Sequence, residues 1–299
     1  TAATFTFNGT GTLSGLAGYQ CQLDGGAFTA CSSPQPYPGL AAGLHTFRVR
    51  AVNTAGTVDA SPATYTWQVL ATQAAGRVVA WGENTFGQNT VPAGLSAVVA
   101  VAGGANHSLA LKQDGTVAAW GWNQYGQSTI PAGLNDIVAI AAGEAHNLAL
   151  RSTGTVVAWG YSGYGVNTVP AGLSGVVAIA AGSYHNLALK ADGTVVAWGN
   201  TTAGATSVPA GLSGVVAIAA GANHSLALKQ DGTVVAWGNG TAGASTVPAG
   251  LSGVVAIAAS ADHNLARKSD GTVVAWGQND NGQSNVPAGL NGVTTIAAG

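Results

Sequence analysis

Residues 193–231 read GTVVAWGNTTAGATSVPAGLSGVVAIAAGANHSLALKQD, and the architecture follows from this stretch. It holds four short segments of strand character: Thr194-Val195-Val196-Ala197-Trp198-Gly199, Ser207-Val208-Pro209, Val215-Val216-Ala217-Ile218-Ala219-Ala220-Gly221 and His224-Ser225-Leu226-Ala227-Leu228-Lys229. Glycine or polar residues separate them, as turns separate strands. Asp231-Gly232 is a tight hairpin signal that leads into the next Thr-Val-Val-Ala-Trp. No segment has the length or the apolar spacing of a helix. Working outward, tryptophan recurs every 39 residues at Trp81, Trp120, Trp159, Trp198, Trp237 and Trp276. His107, His146, His185, His224 and His263 keep the same period, as do Pro92, Pro131, Pro170, Pro209, Pro248 and Pro287. A fixed period of this size marks a repeat architecture. Four short antiparallel strands per repeat predict the blade of a β-propeller.

The motifs Val-Val-Ala-Trp-Gly, His-Ser-Leu-Ala-Leu and Asp-Gly-Thr-Val recur in register over residues 76–299. They resemble the repeats of the regulator of chromosome condensation family. The resemblance implies a propeller, usually seven-bladed in that family. The units here are shorter than the family's eukaryotic ones and number about six, so about six four-stranded blades are expected. Loops have been trimmed, and loops usually carry function. The family's nucleotide exchange on a small nuclear GTPase does not carry over, because no matching partner-binding residues are found.

The C-terminal Val293-Thr294-Thr295-Ile296-Ala297-Ala298-Gly299 has no His-Ser-Leu-Ala-Leu after it. The matching register at the front is Val69-Leu70-Ala71-Thr72-Gln73, with Gln68 in place of the histidine. The two ends are expected to complete one shared blade. The rival reading is an incomplete ring, finished by other sequence or by a neighbouring chain.

Residues 1–68 lack the repeat and form a separate domain in this reading, with the propeller over 69–299. Thr4-Phe5-Thr6-Phe7, Thr46-Phe47-Arg48-Val49-Arg50-Ala51-Val52 and Thr64-Tyr65-Thr66-Trp67-Gln68-Val69 read as strands of a small all-β domain. Tyr19-Gln20-Cys21, Leu23-Asp24-Gly25-Gly26, Phe28, Cys31, Gly43-Leu44-His45-Thr46-Phe47 and Ser61-Pro62-Ala63 resemble bacterial immunoglobulin-like modules of extracellular proteins. That resemblance implies a β-sandwich, here without its usual first strand before Ala2. An edge left open in that way invites pairing with another chain. Cys21 and Cys31 flank a hairpin-turn sequence, and a bond between them would contribute roughly 2–3 kcal/mol. The alternative is a pair of buried thiols.

Apolar residues make up 47% of the chain and charged ones only 7%, far below the average of about 25%. A net charge of −2 gives no electrostatic reason to expect nucleic acid. No apolar run approaches the length of a membrane span. The chain begins at Thr1 and contains no methionine, which points to a processed product, most simply one that has lost a signal peptide. An extracellular or cell-surface location is therefore expected.

Histidines on successive blades lie too far apart to converge on one metal ion. Each is expected to bond a backbone group and fix the turn after Ala-Ala-Gly. The six tryptophans read as blade-to-blade packing. Most aspartates sit in Asp-Gly turns (Asp114, Asp192, Asp231, Asp270), and no nucleophile motif or phosphate loop is present. Asn279-Asp280-Asn281-Gly282 lacks the later carboxylate of a calcium loop and reads as a turn. Arg267 stands where Leu111, Leu150, Leu189 and Leu228 stand in other repeats, with Asp262 as its expected partner. The informative breaks are aromatic. The loops after Trp-Gly carry Phe86, then Trp122 and Tyr125, then Tyr161 and Tyr164, whereas the fourth and fifth carry only small residues. Strand alternation brings Tyr184 to the same face. Such an arc suits protein contact or sugar stacking; the competing reading is drift among duplicated loops. The sequence thus predicts a non-enzymatic scaffold with no cofactor or metal. Its expected partners are proteins, above all copies of itself in a filament or surface layer. The alternative is a glycan-binding propeller.

Overall fold

The computed structural model describes residues 2–8, 15–41, 43–69 and 76–299. The chain divides into two compact units, residues 1–74 and 75–299.

Among the described residues the front unit has six strands: β1 (Ala2–Phe5), β2 (Leu16–Leu23), β3 (Thr29–Cys31), β4 (Gln35–Pro38), β5 (Gly43–Asn53) and β6 (Ala63–Val69). Four of them form one antiparallel sheet in the order β3-β2-β5-β6. β1 pairs with β4 in a second sheet, from Ala2↔Pro38 to Phe5↔Gln35. Phe47, 3% exposed, anchors the interior, and the Phe5 ring stacks on it at 4.2 Å. Cys21 and Cys31 are bonded, with their Cα atoms 5.8 Å apart. The turn at Asp24 is tied to β5: Thr46 N–H donates to Asp24 Oδ1 at 2.8 Å, and His45 Nδ1 lies 2.6 Å from Asp24 Oδ2.

The second unit contains five antiparallel three-stranded sheets. The first is β7 (Val98–Gly103), β8 (His107–Lys112) and β9 (Val117–Gly121). The second is β10 (Ile137–Ala142), β11 (His146–Arg151) and β12 (Val156–Gly160). The third is β13 (Val176–Ala181), β14 (His185–Lys190) and β15 (Val195–Gly199). The fourth is β16 (Val215–Ala220), β17 (His224–Lys229) and β18 (Val234–Gly238). The fifth is β19 (Val254–Ala259), β20 (His263–Lys268) and β21 (Val273–Gly277). Their first strands lie against one another in succession and so form the inner layer. Each first strand carries a bulge at its second residue, as at Val138 between Ile137 and Ala139. The bulge turns the first residue inward and the second outward: Val215 is 4% exposed and Val216 is 52%.

The sheets have three strands, not the expected four. Ser207-Val208-Pro209 and its copies lie outside the ladders, because proline has no N–H to give. The segment still packs, with Val208 and Leu212 against the apolar cluster around Leu187, Val215 and Trp237. Residues 293–299 and 78–82 are likewise not strands. The front half of the expected shared blade, Leu70 to Gln73, lies outside the described residues. Among the described residues no helix is long and apolar enough to cross a membrane.

One hydrogen-bond pattern joins each sheet to the next. His107 Nε2 lies 2.7 Å from Asn147 Oδ1, and His146 meets Asn186 and His224 meets Asn264 at the same distance. His185 meets Ser225 Oγ at 3.0 Å. The second residue of each middle strand then donates to a loop carbonyl that also accepts the tryptophan Nε1–H. Gln127 O receives Asn147 Nδ2 at 2.8 Å and Trp159 Nε1 at 3.1 Å. Val166, Ala205 and Ala244 do the same for Trp198, Trp237 and Trp276. Because the Asn amide nitrogen is spent on the carbonyl, its oxygen must accept, so each such histidine donates from Nε2. Burial favours the neutral ring: it lowers the pKa of His146 and of His185 from 6.5 to about 4. The histidines thus bond a side chain of the next repeat, not a backbone group. The reason is steric. A Cβ on Gly104 would sit 2.5 Å from His107 Nδ1 and 2.6 Å from Gly143 O, so the imidazole occupies the space beside the turn and points across to its neighbour.

Trp81 departs from the packing role expected for it. It is 83% exposed, against 6–8% for the five others. Arg267 Nε is buried without a hydrogen-bond partner, and no ion pair links it to Asp262 among the described residues. Asp262 lies in the turn before β20 and Arg267 near the strand's far end, five residues at about 3.3 Å each, beyond side-chain reach.

Candidate interaction face

Two kinds of loop meet at one end of the sheets. The turn between the first and middle strands carries Gly104-Ala105-Asn106 and its copies. The loop after each Trp-Gly is pinned to that turn by backbone bonds: Trp122 N–H donates to Asn106 O at 2.8 Å, Tyr161 N–H to Ala145 O at 2.9 Å and Asn200 N–H to Tyr184 O at 2.7 Å. The turns also bond to one another across repeats, as Ala105 N–H to Glu144 O at 3.3 Å and Ala222 N–H to Ala261 O at 3.0 Å. They surround a depression of about 380 Å³, lined by Gly, Ala, Ser and Glu144 from six successive repeats.

The aromatic residues singled out from the sequence form one continuous series at this end. Phe86 lies 5.8 Å from Trp122 (centroid to centroid), Trp122 5.3 Å from Tyr125, and Tyr125 5.0 Å from Tyr161. Tyr161, Tyr164 and Tyr184 then contact one another. Phe86, Tyr125 and Tyr164 are exposed and the other three half-buried. Edge-to-face and tilted pairs of this kind hold rings in place without a core around them.

The loops hold the rings by side-chain bonds to their own backbone. Tyr125 N–H donates to Gln127 Oε1 at 2.9 Å, and Ser128 N–H to Asn123 Oδ1 at 2.8 Å. The same Asn-x-x-Gly-Gln scheme organises Asn279, Asn281 and Gln283, which make a turn closed on itself. Tyr164 is different: its backbone is left-handed, φ 57°, inside a short 3-10 turn. Bulky side chains rarely adopt that conformation.

One residue of this face was not read from the sequence. Glu144 Oε1 accepts the Tyr184 hydroxyl at 2.6 Å. That bond, with burial and the nearby charge, pushes the Tyr184 pKa up to about 12. The available signal was positional: Ala105, Ser183, Ala222 and Ala261 occupy the same turn site in the other repeats. The Asn and Ser clamp residues were missed too, although Ser108, Asn147, Asn186, Ser225 and Asn264 follow the five repeat histidines without exception. Among the described residues, no group of three His, Cys, Asp or Glu gathers as a metal site requires.

No curated protein matches the chain. Prp20p from Saccharomyces cerevisiae, described for its binding to Gsp1p and histones, is 25% identical over 64% of this chain and 59% of its own, with a TM-score of 0.55. The chain therefore spans about three fifths of the length of that yeast structure. The ectodomain of the receptor kinase CR4 from Physcomitrella patens is 22% identical over 87% and 66%, with a TM-score of 0.60. That of ACR4 from Arabidopsis thaliana is 20% identical over 79% and 78%, with a TM-score of 0.53. These likenesses establish the β-propeller fold. The regulator of chromosome condensation (RCC1) repeat matches at residues 98–127, 137–166, 176–205, 215–244 and 254–283, together half of the chain. Five matches in register with five sheets make the chain a member of the RCC1 repeat family.

Proposed function

We propose that the propeller is a non-catalytic binding module whose contact surface is the loop end bearing Phe86, Trp122, Tyr125, Tyr161, Tyr164 and Tyr184. The observation that carries this is the unbroken ring series, confined to three of the repeats. Exposed aromatic side chains on a rigid frame are the usual anchors of protein interfaces. Binding of Gsp1p and histones belongs to the yeast protein; it supports only the idea that propellers of this repeat serve protein contact. The disulfide supports an extracellular or cell-surface setting, and the front unit's two sheets fit an immunoglobulin-like module. Self-association is the favoured partner choice, drawing on exposed Val79 and Trp81 beside a propeller segment without ladder bonds. A ring closed by six blades belongs to the same reading.

A photo-crosslinking amino acid placed at position 125, and in a second preparation at position 202 in the bare fourth loop, tests the surface. Purified protein alone should give an adduct of twice the monomer mass from 125 and none from 202. If an adduct forms only with native extract, the partner is another protein. Equal adducts from both positions would overturn the assignment, and a glycan array positive with no protein adduct would replace it by the sugar-binding alternative.

A further inference from the structure

The fourth and fifth loops after Trp-Gly, which lack aromatic residues, share a pattern of their own. Asn-x-Ser/Thr with x other than proline, the acceptor signature for a sugar on an asparagine amide, occurs at Asn8, Asn106, Asn200, Asn223 and Asn239. Two of these open the bare loops: Asn200-Thr201-Thr202 follows Trp198-Gly199, and Asn239-Gly240-Thr241 follows Trp237-Gly238. The corresponding residues of the other loops do not fit the pattern: Glu83-Asn84-Thr85, Trp122-Asn123-Gln124, Tyr161-Ser162-Gly163 and Gln278-Asn279-Asp280.

The structure sorts these sites. Asn106 and Asn223 are followed by clamp residues. His107 and His224 are each 1% exposed and Ser225 is 0%. Ser108 Oγ donates to Gln88 O at 3.0 Å, and Ser225 Oγ to Ala205 O at 2.9 Å. Both hydroxyls are committed to the frame, and the chain there cannot leave its sheet to enter an enzyme's cleft. Gly9 and Thr10, which complete the pattern at Asn8, lie outside the described residues. At Asn200 the two following residues are exposed. Asn200 Oδ1 accepts Thr202 N–H at 2.9 Å and the Thr202 hydroxyl at 2.7 Å, an Asx-turn. The carboxamide is thereby fixed through its oxygen, and its Nδ2 makes no hydrogen bond among the described residues. In three other loops the equivalent nitrogen is taken: Asn84, Asn123 and Asn279 donate from Nδ2 to Thr90, Thr129 and Asn285. Asn239 is exposed at the same place in its loop.

We propose that Asn200, with its copy Asn239, carries an N-linked glycan. Asn200 Nδ2 forms a bond to the anomeric carbon of a sugar activated as a diphosphate ester. The bond from that carbon to the phosphate oxygen breaks, the diphosphate leaves with the electron pair, and the amide nitrogen gives up one proton. This rests on the extracellular reading, since such acceptors belong to surface loops of secreted proteins. Glycans are bulky and solubilising. Two of them over the bare repeats leave the half bearing Trp122, Tyr125 and Tyr161 as the open contact surface.

Glycopeptide mass spectrometry of the protein purified from its natural source tests it, with each site located by electron-transfer fragmentation. Sugar is expected on Asn200 and Asn239, and none on Asn106 or Asn223. Expressed in the same source, Thr202→Val should lose the sugar at Asn200 and keep that at Asn239, while Thr202→Ser should keep both. The thermal melt of Thr202→Val, which alters an exposed side chain, should match that of enzymatically deglycosylated parent protein. A bare Asn200 or Asn239, sugar on Asn106 or Asn223, or sugar retained at Asn200 in Thr202→Val would overturn the proposal. The thiol state of the same sample separates this failure from that of the extracellular reading. A bonded Cys21–Cys31 pair beside a bare Asn200 leaves that reading standing while this one falls, and free thiols would bring down both.

Discussion

The third and fourth repeats differ in a way that separates frame from function. Both have the same strand lengths, the same Trp-to-carbonyl bond and a histidine clamp to the following sheet, made to Ser225 from the third and to Asn264 from the fourth. Their loops after Trp-Gly are equally long, yet residues 161–165 read YSGYG and residues 200–204 read NTTAG. Trp198 and Trp237 are both 7% exposed. The frame therefore tolerates either loop, and the aromatic residues are not there to hold it together. What varies among near-identical repeats is what the frame leaves unconstrained.

The largest effect expected of the frame is acid lability. Burial depresses the pKa of His146 and His185 from 6.5 to about 4, and lowers His107 and His224 as well. The unfolded chain takes up these protons below pH 6.5, and the native propeller does not until about pH 4. Stability is thus fully present above the unfolded value and lost as pH falls, by about 3 kcal/mol for each of His146 and His185. Denaturant unfolding across that window should show the propeller signal weakening as a single transition. Loss of the aromatic repeats alone would break the claim of a common frame.

Next in size are the clamps. Asn186→Ala removes the acceptor of His146 and a donor to Val166 O, both buried. Asn264→Ala does the same to His224 and Ala244 O in the bare half. Each should cost about 2–5 kcal/mol. Urea melts of the two variants that agree within about 1 kcal/mol would sharpen the comparison. A clear difference would mean that the halves are built differently.

The front unit should respond to pH with the opposite sign. Hydrogen bonds to Ala41 O and to Asp24 raise the pKa of His45. Protonated His45 therefore stabilises this unit below the unfolded value of 6.5, and the contribution is lost as pH rises through the folded value. The effect is small. His45→Gln should flatten the alkaline limb of the front unit's thermal stability and leave the propeller's acid limb unchanged.

The period, the strand positions and the aromatic arc were legible because each is a property of one repeat read against its copies. Alternation along a strand is enough to put Tyr184 beside the Trp-Gly loops. The clamp was not legible in the same way. His146 and Asn186 are forty residues apart, and the period alone does not say that a side chain reaches into the next repeat instead of turning back on its own. Val208 looked like a strand residue because apolar character marks burial, and it is packed; only Pro209 carried the information that no ladder forms. Glu144 was passed over because one carboxylate in an exposed turn has no pattern, and its meaning comes from Tyr184, one repeat later.

The most direct test is a loop exchange that writes NTTAG in place of residues 161–165, keeping buried Val166 and every clamp residue. The account predicts a melting temperature within a few degrees of the parent, because no frame bond is removed, together with loss of the crosslink from position 125. A propeller destabilised by more than about 2 kcal/mol, or an undiminished crosslink, would contradict it.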